Sequence, residues 1–187
     1  MRLKVKNLSK KINNKTIFEN VSFEIERGIL LIKGPNGSGK TTLLKILARI
    51  EKPTTGEVNY ENINNFEISY LGHKMGIYLE FTVLENLKFF GFDEELIKIF
   101  KMEKFLNYKA KLLSRGSLQK IGIIRALSKK SKLYLLDEPF TSLDENSKNI
   151  IIEIIKSLSK DKIFIITTHE KLEISNNFIS LWKYSNT

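Results

Sequence analysis

The sequence predicts an α/β protein with a parallel-sheet core, an antiparallel front and a helical insertion. Three observations predict it. A glycine-rich stretch, Gly34 to Thr42, stands between the apolar run Ile29-Leu30-Leu31-Ile32-Lys33 and the helically spaced Leu43, Leu44, Ile46, Leu47 and Ile50. Two further apolar runs, Leu133–Leu136 and Ile163–Ile166, have the length of strands buried on both faces. Near the start of the chain, Val21, Phe23 and Ile25 alternate with Ser22, Glu24 and Glu26, the pattern of an antiparallel strand with one wet face.

Taken in order, residues 3–8 and 16–26 give short strands, and Arg27-Gly28 turns the chain into the strand before the glycine loop. After the first helix, Lys52 to Glu57 is a turn and Val58-Asn59-Tyr60 another short strand. Ile68 to Leu71 is a short apolar run with the character of a main-sheet strand. Gly72 to Gly91 is rich in aromatic residues and reads as a surface connection. From Asp93 to about Lys130 the pattern is helical, with weak periodicity in Leu96, Ile97, Ile99 and Phe100 and again in Ile121, Ile124 and Leu127. Between the last two strand runs, Ser147 to Lys160 forms an amphipathic helix with Ile150, Ile151, Ile154, Ile155 and Leu158 inward.

Composition narrows the function classes. The 187 residues suffice for one well-packed domain with a small subdomain. With no cysteine, disulfides and thiolate metal sites are excluded and an intracellular location is expected. Met1 to Lys6 lacks the apolar core of a signal peptide. No apolar stretch approaches the roughly 20 residues needed to cross a bilayer, so the chain alone is expected to transport nothing. The formal charge of +10 leaves three readings open: a lysine-heavy coding bias, attraction to anionic lipid headgroups, and nucleic-acid binding. Only five of the 31 basic residues are arginines and the lysines are scattered. The forked Arg signature of base and phosphate recognition is therefore missing, and no nucleic-acid partner is expected.

The loop Gly34-Pro35-Asn36-Gly37-Ser38-Gly39-Lys40-Thr41-Thr42 fits the phosphate-loop pattern of Gly, four residues, Gly-Lys and then Ser or Thr. Its glycines let the backbone turn back and aim N–H groups inward. The positive end of the following helix completes an anion cradle. Lys40 is expected to reach the β- and γ-phosphates of a nucleoside triphosphate, and the Thr41 hydroxyl to bind Mg²⁺. A second site is the strand end Leu136-Asp137-Glu138-Pro139, at the same carboxyl edge of the sheet. Asp137 would hold Mg²⁺ directly or through water, and Glu138 would act as general base toward the attacking water. A third is His169, just past another strand, as a γ-phosphate contact that steadies the water.

These motifs, with Leu113-Ser114-Arg115-Gly116-Ser117-Leu118-Gln119-Lys120 between them, resemble the ATP-binding cassette (ABC) ATPases over nearly the whole chain. Gly34–Thr42 matches the Walker A motif, Leu133–Glu138 the Walker B motif, Ser142-Leu143-Asp144 the D-loop and His169 the switch histidine. Residues 113–127 align with the signature motif and its helix. The resemblance implies one ABC ATP-binding domain over 1–187. Its core would comprise 1–72 and 131–187 with the antiparallel front, and a helical subdomain would occupy about 73–130. It implies ATP and Mg²⁺ as cofactors, and a homodimer that sandwiches ATP head to tail. Ser114 and Gly116 of one copy would then face the γ-phosphate held by Lys40 of the other.

Departures from the family pattern are specific. Arg115 and Ser117 stand where Gly and Gln are usual, and His73 stands where the Q-loop glutamine is expected, Gln119 being the only glutamine of the chain. Arg115 has two open readings, reinforcement of the anion site or obstruction of close approach. Ile12 stands at about the place of the adenine-stacking aromatic. The His73 substitution, with Leu71–Ile77, Thr82–Leu87, Phe89, Phe140-Thr141 and Ile179-Ser180-Leu181, is similar to the ATP-binding subunits of haem exporters in bacterial c-type cytochrome maturation. That similarity implies a peripheral ATPase on the cytoplasmic side of the inner membrane. Its partners would be membrane-spanning transporter subunits and haem-handling subunits. The alternatives are the ATP-binding subunit of another small-substrate ABC transporter, or a soluble ABC ATPase acting on nucleic acid or ribosomes. Tyr78, Phe81, Phe89, Phe90 and Phe92 are either a docking surface for membrane partners or the core of the helical part.

Overall fold

The alternating N-terminal residues fold as β1 (Arg2–Ile12) and β2 (Lys15–Ile25), an antiparallel hairpin. Asn13 and Asn14 join them with φ of 48° and 61°, the pair of positive angles that a two-residue type I′ turn requires. β3 (Gly28–Lys33) leaves the hairpin and feeds the glycine loop and α1 (Lys40–Leu47). Ala48 caps α1, and Arg49, at φ 61°, sends the chain out of helical conformation. Ile50 was expected on the buried helical face. It lies past this stop and is 59% exposed. β4 (Thr55–Glu61) then pairs with the free edge of β1, giving a three-stranded antiparallel sheet in the order β2-β1-β4.

The computed structural model describes residues 1–73, 75–169, 174–175 and 177–181, without the Phe90 side chain. Lys74, within the Leu71–Ile77 stretch, and the Phe90 ring therefore lie outside the described residues. β5 (Ile68–Leu71) precedes the segment that reads as a surface connection, but that segment contains a helix, α2 (Val83–Phe90). Its start is a capping box: Thr82 accepts from the Glu85 N–H and the Glu85 carboxylate accepts from the Thr82 N–H. Val83 and Leu87 bury its inner face. The long helical expectation after Asp93 resolves into α3 (Glu94–Ile99), two 3₁₀ turns and α4 (Arg115–Ser128). Lys101 at φ 54° follows the end of α3. Leu96, Ile97 and Phe100 are buried, whereas Ile99 points outward.

β6 (Leu133–Asp137), α5 (Glu145–Leu158), β7 (Ile163–Thr167) and β8 (Phe178–Ser180) complete the chain. The strands join β3 in a five-stranded sheet of order β5-β6-β7-β3-β8, every neighbouring pair parallel. The apolar runs are continuous because both faces of this sheet are covered. Leu30, Ile32, Leu133, Leu135, Ile163 and Ile165 point to the α1 side, where β1 and β2 also contribute. Leu31, Tyr134, Leu136, Phe164 and Ile166 point to the side of α2, α4 and α5. Tyr134 and Phe164 stack there with centroids 4.6 Å apart.

A central-strand deletion is expected to be costly. Ile165 is fully buried, so Ile165→Ala should lower unfolding free energy in urea by about 2–5 kcal/mol without changing the slope of the transition. A loss under about 0.5 kcal/mol would contradict the central place of β7.

Candidate functional site

The site begins as a matter of strand register. Thr167 pairs with Ile32 on one side and Asp137 on the other, so β3, β7 and β6 end in one row at their carboxyl edge. The glycine loop leaves the first of these ends, and Gly34, Gly37 and Gly39 take φ of 154°, 79° and 91°. At Gly39 the need for glycine is also spatial, since a Cβ would come 2.6 Å from Ile17 Cγ2. Lys40 folds back across the loop, its Nζ donating to the carbonyls of Gly34 at 2.8 Å and Pro35 at 3.1 Å. Ser38 is fully buried and its hydroxyl makes no hydrogen bond among the described residues. Asn36, Gly37 and Lys40 to Thr42 line a cleft of about 250 Å³, with Ile17 on one wall and Glu138 on another.

Asp137 is buried with both carboxylate oxygens occupied. Thr41 Oγ1 donates to Oδ2 at 2.7 Å and Thr167 Oγ1 donates to Oδ1 at 2.6 Å. The same Thr167 hydroxyl accepts from the Glu138 N–H at 2.9 Å. Glu138 itself takes φ 51°, a left-handed conformation that a non-glycine residue adopts at a cost. Its Oε2 meets His169 Nε2 at 2.6 Å, an ion pair whenever the imidazole is protonated. Lys40, Thr41, Asp137, Glu138 and His169 are thus brought to one sheet edge from three separate stretches of sequence. Nearby, burial and then the Asp137 charge push the half-buried Tyr70 phenol up to about 12, so it stays protonated at neutral pH.

The signature stretch lies elsewhere. Neither Ser114 nor Gly116 lines the cleft of its own phosphate loop. Ser114 caps α4, accepting from the Ser117 N–H at 3.2 Å and donating to Ser117 Oγ at 3.1 Å. Gly116 approaches the backbone so closely that a Cβ would sit 2.6 Å from the Ser142 carbonyl oxygen. Arg115 and His73 are exposed. Asp144 caps α5 and its carboxyl is held down at about 2, by the Ser147 N–H and hydroxyl first and then by Lys120 at 3.3 Å. The aromatic residues Tyr78, Phe81, Phe89 and Phe92 are all exposed, so they do not form a helical core. Tyr78 contacts Phe81 and Phe89 with centroid separations of 5.3 and 6.0 Å.

Two residues at the site were not singled out from sequence. Thr167 closes an apolar strand, and only its register with Asp137 reveals the role of its hydroxyl. Ile17 lines the cleft from β2, whereas Ile12 lies at the exposed tip of β1.

Residues 18–141 match the family model described as ABC transporter. The cytochrome c biogenesis ATP-binding export protein CcmA of Rickettsia typhi is 33% identical, over 93% of this chain and 95% of that protein. An uncharacterized ABC transporter ATP-binding protein of Methanocaldococcus jannaschii is 36% identical, over 92% of this chain and 70% of its own length. Among solved structures, the ATP-binding cassette MJ0796 in a dimeric post-hydrolysis state, bound to ADP and Pi, superposes with a TM-score of 0.85. It is 27% identical, with 98% of this chain and 97% of that chain covered.

The Thr167 hydroxyl offers a direct check of the site's construction. Thr167→Val keeps the shape but leaves the Glu138 N–H and Asp137 Oδ1 without that partner. It is expected to lower stability by about 1–3 kcal/mol in chemical denaturation. An unchanged midpoint would show that the Thr167 hydroxyl does not hold the Asp137 and Glu138 strand end in place.

Proposed function

Because the chain belongs to the ABC transporter family, as one of its ATP-binding, ATP-hydrolysing cassettes, we propose that it drives haem export or release for c-type cytochrome maturation. The observation that carries the substrate assignment is its similarity, over more than four-fifths of both chains, to cytochrome c biogenesis ATP-binding export proteins. A second reading, the ATP-binding subunit of another small-substrate transporter, draws on the match to the Methanocaldococcus jannaschii relative, which covers 92% of this chain and 70% of that protein and whose name specifies no cargo.

In the proposed reaction, Gly34 to Thr42 cradle the triphosphate through backbone N–H groups and the N-terminal end of α1. Lys40 exchanges its two carbonyl acceptors for β- and γ-phosphate oxygens. Thr41 and Asp137 would be the protein oxygens that hold Mg²⁺, which would supply charge neutralisation. Two hard oxygen donors suit an ion that otherwise keeps water and phosphate ligands. Glu138 takes the proton of the attacking water, and the contact with His169 orients its carboxylate. The left-handed backbone at Glu138, held by the Thr167 hydroxyl, aims that carboxylate into the cleft wall.

Ser114 and Gly116 of a second copy are proposed to close the cleft at the helix N-terminus that they begin, as the dimeric state of the solved cassette supports. In this arrangement 1–72 and 131–187 form the catalytic part and about 73–130 the helical subdomain. No helix among the described residues is long and apolar enough to cross a membrane. Attachment is therefore proposed to run through membrane-spanning subunits and haem-handling partners, on the cytoplasmic side. The exposed Tyr78–Phe81–Phe89 group is the proposed contact, an aromatic patch of the kind that marks binding surfaces.

Glu138→Gln is expected to bind ATP, to lose at least ~10²-fold in turnover and to accumulate as an ATP-bound dimer. Turnover at the wild-type rate would remove Glu138 from the role of base. Phe81→Asp should free the chain from its membrane partners with nucleotide binding intact. Undiminished recovery with membranes would rule out this docking surface. The substrate is read from purification of the native complex: haem bound to the co-purifying subunits supports the assignment, and a haem-free complex with a different cargo favours the second reading.

A further inference from the structure

We propose that Arg125 is a positioning residue for ATP hydrolysis. It fixes the turn that carries His73 to α4, and α4 in turn fixes the turn that carries Glu138. The proposal rests on the ATPase activity of the family and is independent of the exported substrate.

The His73 turn is closed by the Met75 N–H donating to the Gly72 carbonyl at 2.8 Å. Met75 and Gly76 then adopt successive left-handed conformations, with φ of 53° and 60°. A methionine holds that conformation only where its surroundings impose it. Arg125 imposes it: its Nη1 donates to the Met75 carbonyl at 3.0 Å and also to the Gly76 carbonyl. One helical turn earlier, Gly122 lets the α4 backbone press directly on the same place. A Cβ there would lie 3.0 Å from Leu71 Cδ1 and 3.3 Å from Met75 Cβ. The guanidinium is well suited to this task because it stays charged and spreads rigid donors across more than one acceptor.

The other end of the strut is Gln119. Its buried amide donates to the Pro139 carbonyl at 2.9 Å, one residue past Glu138. Six residues of helix, about 9 Å of rise, separate Gln119 from Arg125, a span that a helix transmits without bending. Toward the surface, Asn86 grips the same connecting segment, accepting from the Tyr78 N–H at 2.8 Å and donating to the Tyr78 carbonyl at 2.9 Å. The aromatic surface, the His73 turn, α4 and the Glu138 turn therefore form one mechanical series. Arg125 is the link between its outer and inner halves.

The chain contains no cysteine, so His73→Cys provides a single attachment point for a nitroxide label. Turnover is measured separately, with His73 in place. Arg125→Ala in the full chain is expected to bind ATP within about twofold of wild type. Its kcat should fall about 10- to 10²-fold at unchanged KM, and the label at position 73 should become more mobile. Arg125→Lys keeps the charge but loses the planar group that aims Nη1 at both carbonyls, and should lie between the two in both readouts. If Arg125→Ala does not fold, Arg125→Lys at a near-native melting temperature carries the test. Wild-type kcat in the folded variant, a kcat loss without increased label mobility, or a loss of ATP affinity in proportion to kcat would each overturn the proposal.

Discussion

The site depends on one hydroxyl between two strands. Thr167 ends β7, which lies between β3 and β6, and its Oγ1 binds Asp137 and the Glu138 N–H together. That arrangement exists only because Ile32, Thr167 and Asp137 share one level of the parallel ladder. A one-residue slip of β7 would turn its side chains to the opposite face and leave Asp137 Oδ1 without this donor. The Tyr134–Phe164 stack opposes the slip, which would carry the Phe164 ring out of its own core and into the opposite one. Packing on both faces thus sets the geometry of a polar site at the edge.

The signature end of α4 is set up differently. Ser117 engages the Ser114 hydroxyl through both its N–H and its own Oγ. In the proposed dimer, Ser114 would have to give up part of this cap for its hydroxyl to turn to a triphosphate. Gly116 cannot be replaced by a larger residue without displacing the Ser142 carbonyl, which ties the start of α4 to the turn after Phe140. Arg115 is exposed beside this cap, and a cation at a helix N-terminus opposes the helix dipole. An anion brought by a second copy would relieve that repulsion, which favours reinforcement over obstruction.

Much of this was legible in the sequence, and the reasons differ by element. Nearly continuous apolar runs mark β3, β6 and β7, because strands covered on both faces keep their polar residues mainly at their carboxyl ends. The glycine loop and Asp137-Glu138 were readable from spacing alone. What escaped was set by tertiary geometry. β8 is three residues long with two of them exposed, so it carries little apolar signal. The α2 helix lay under an aromatic-rich stretch whose Phe81 and Phe89 face outward and obscure the periodicity. Thr167 and Ile17 acquire their places from strand register and from the approach of β2 to Gly39. Arg125 was visible as part of a helix, but its carbonyl partners lie about 50 residues away, beyond any local pattern.

In the proposed dimer, a cleft built on one chain is completed by α4 of another. The most direct measurement is the specific ATPase activity of the purified chain as a function of its concentration, at saturating Mg-ATP. A composite site predicts specific activity that rises in proportion to chain concentration when dilute and levels off once the dimer saturates. Specific activity that stays constant down to concentrations at which the chain is demonstrably monomeric would contradict it.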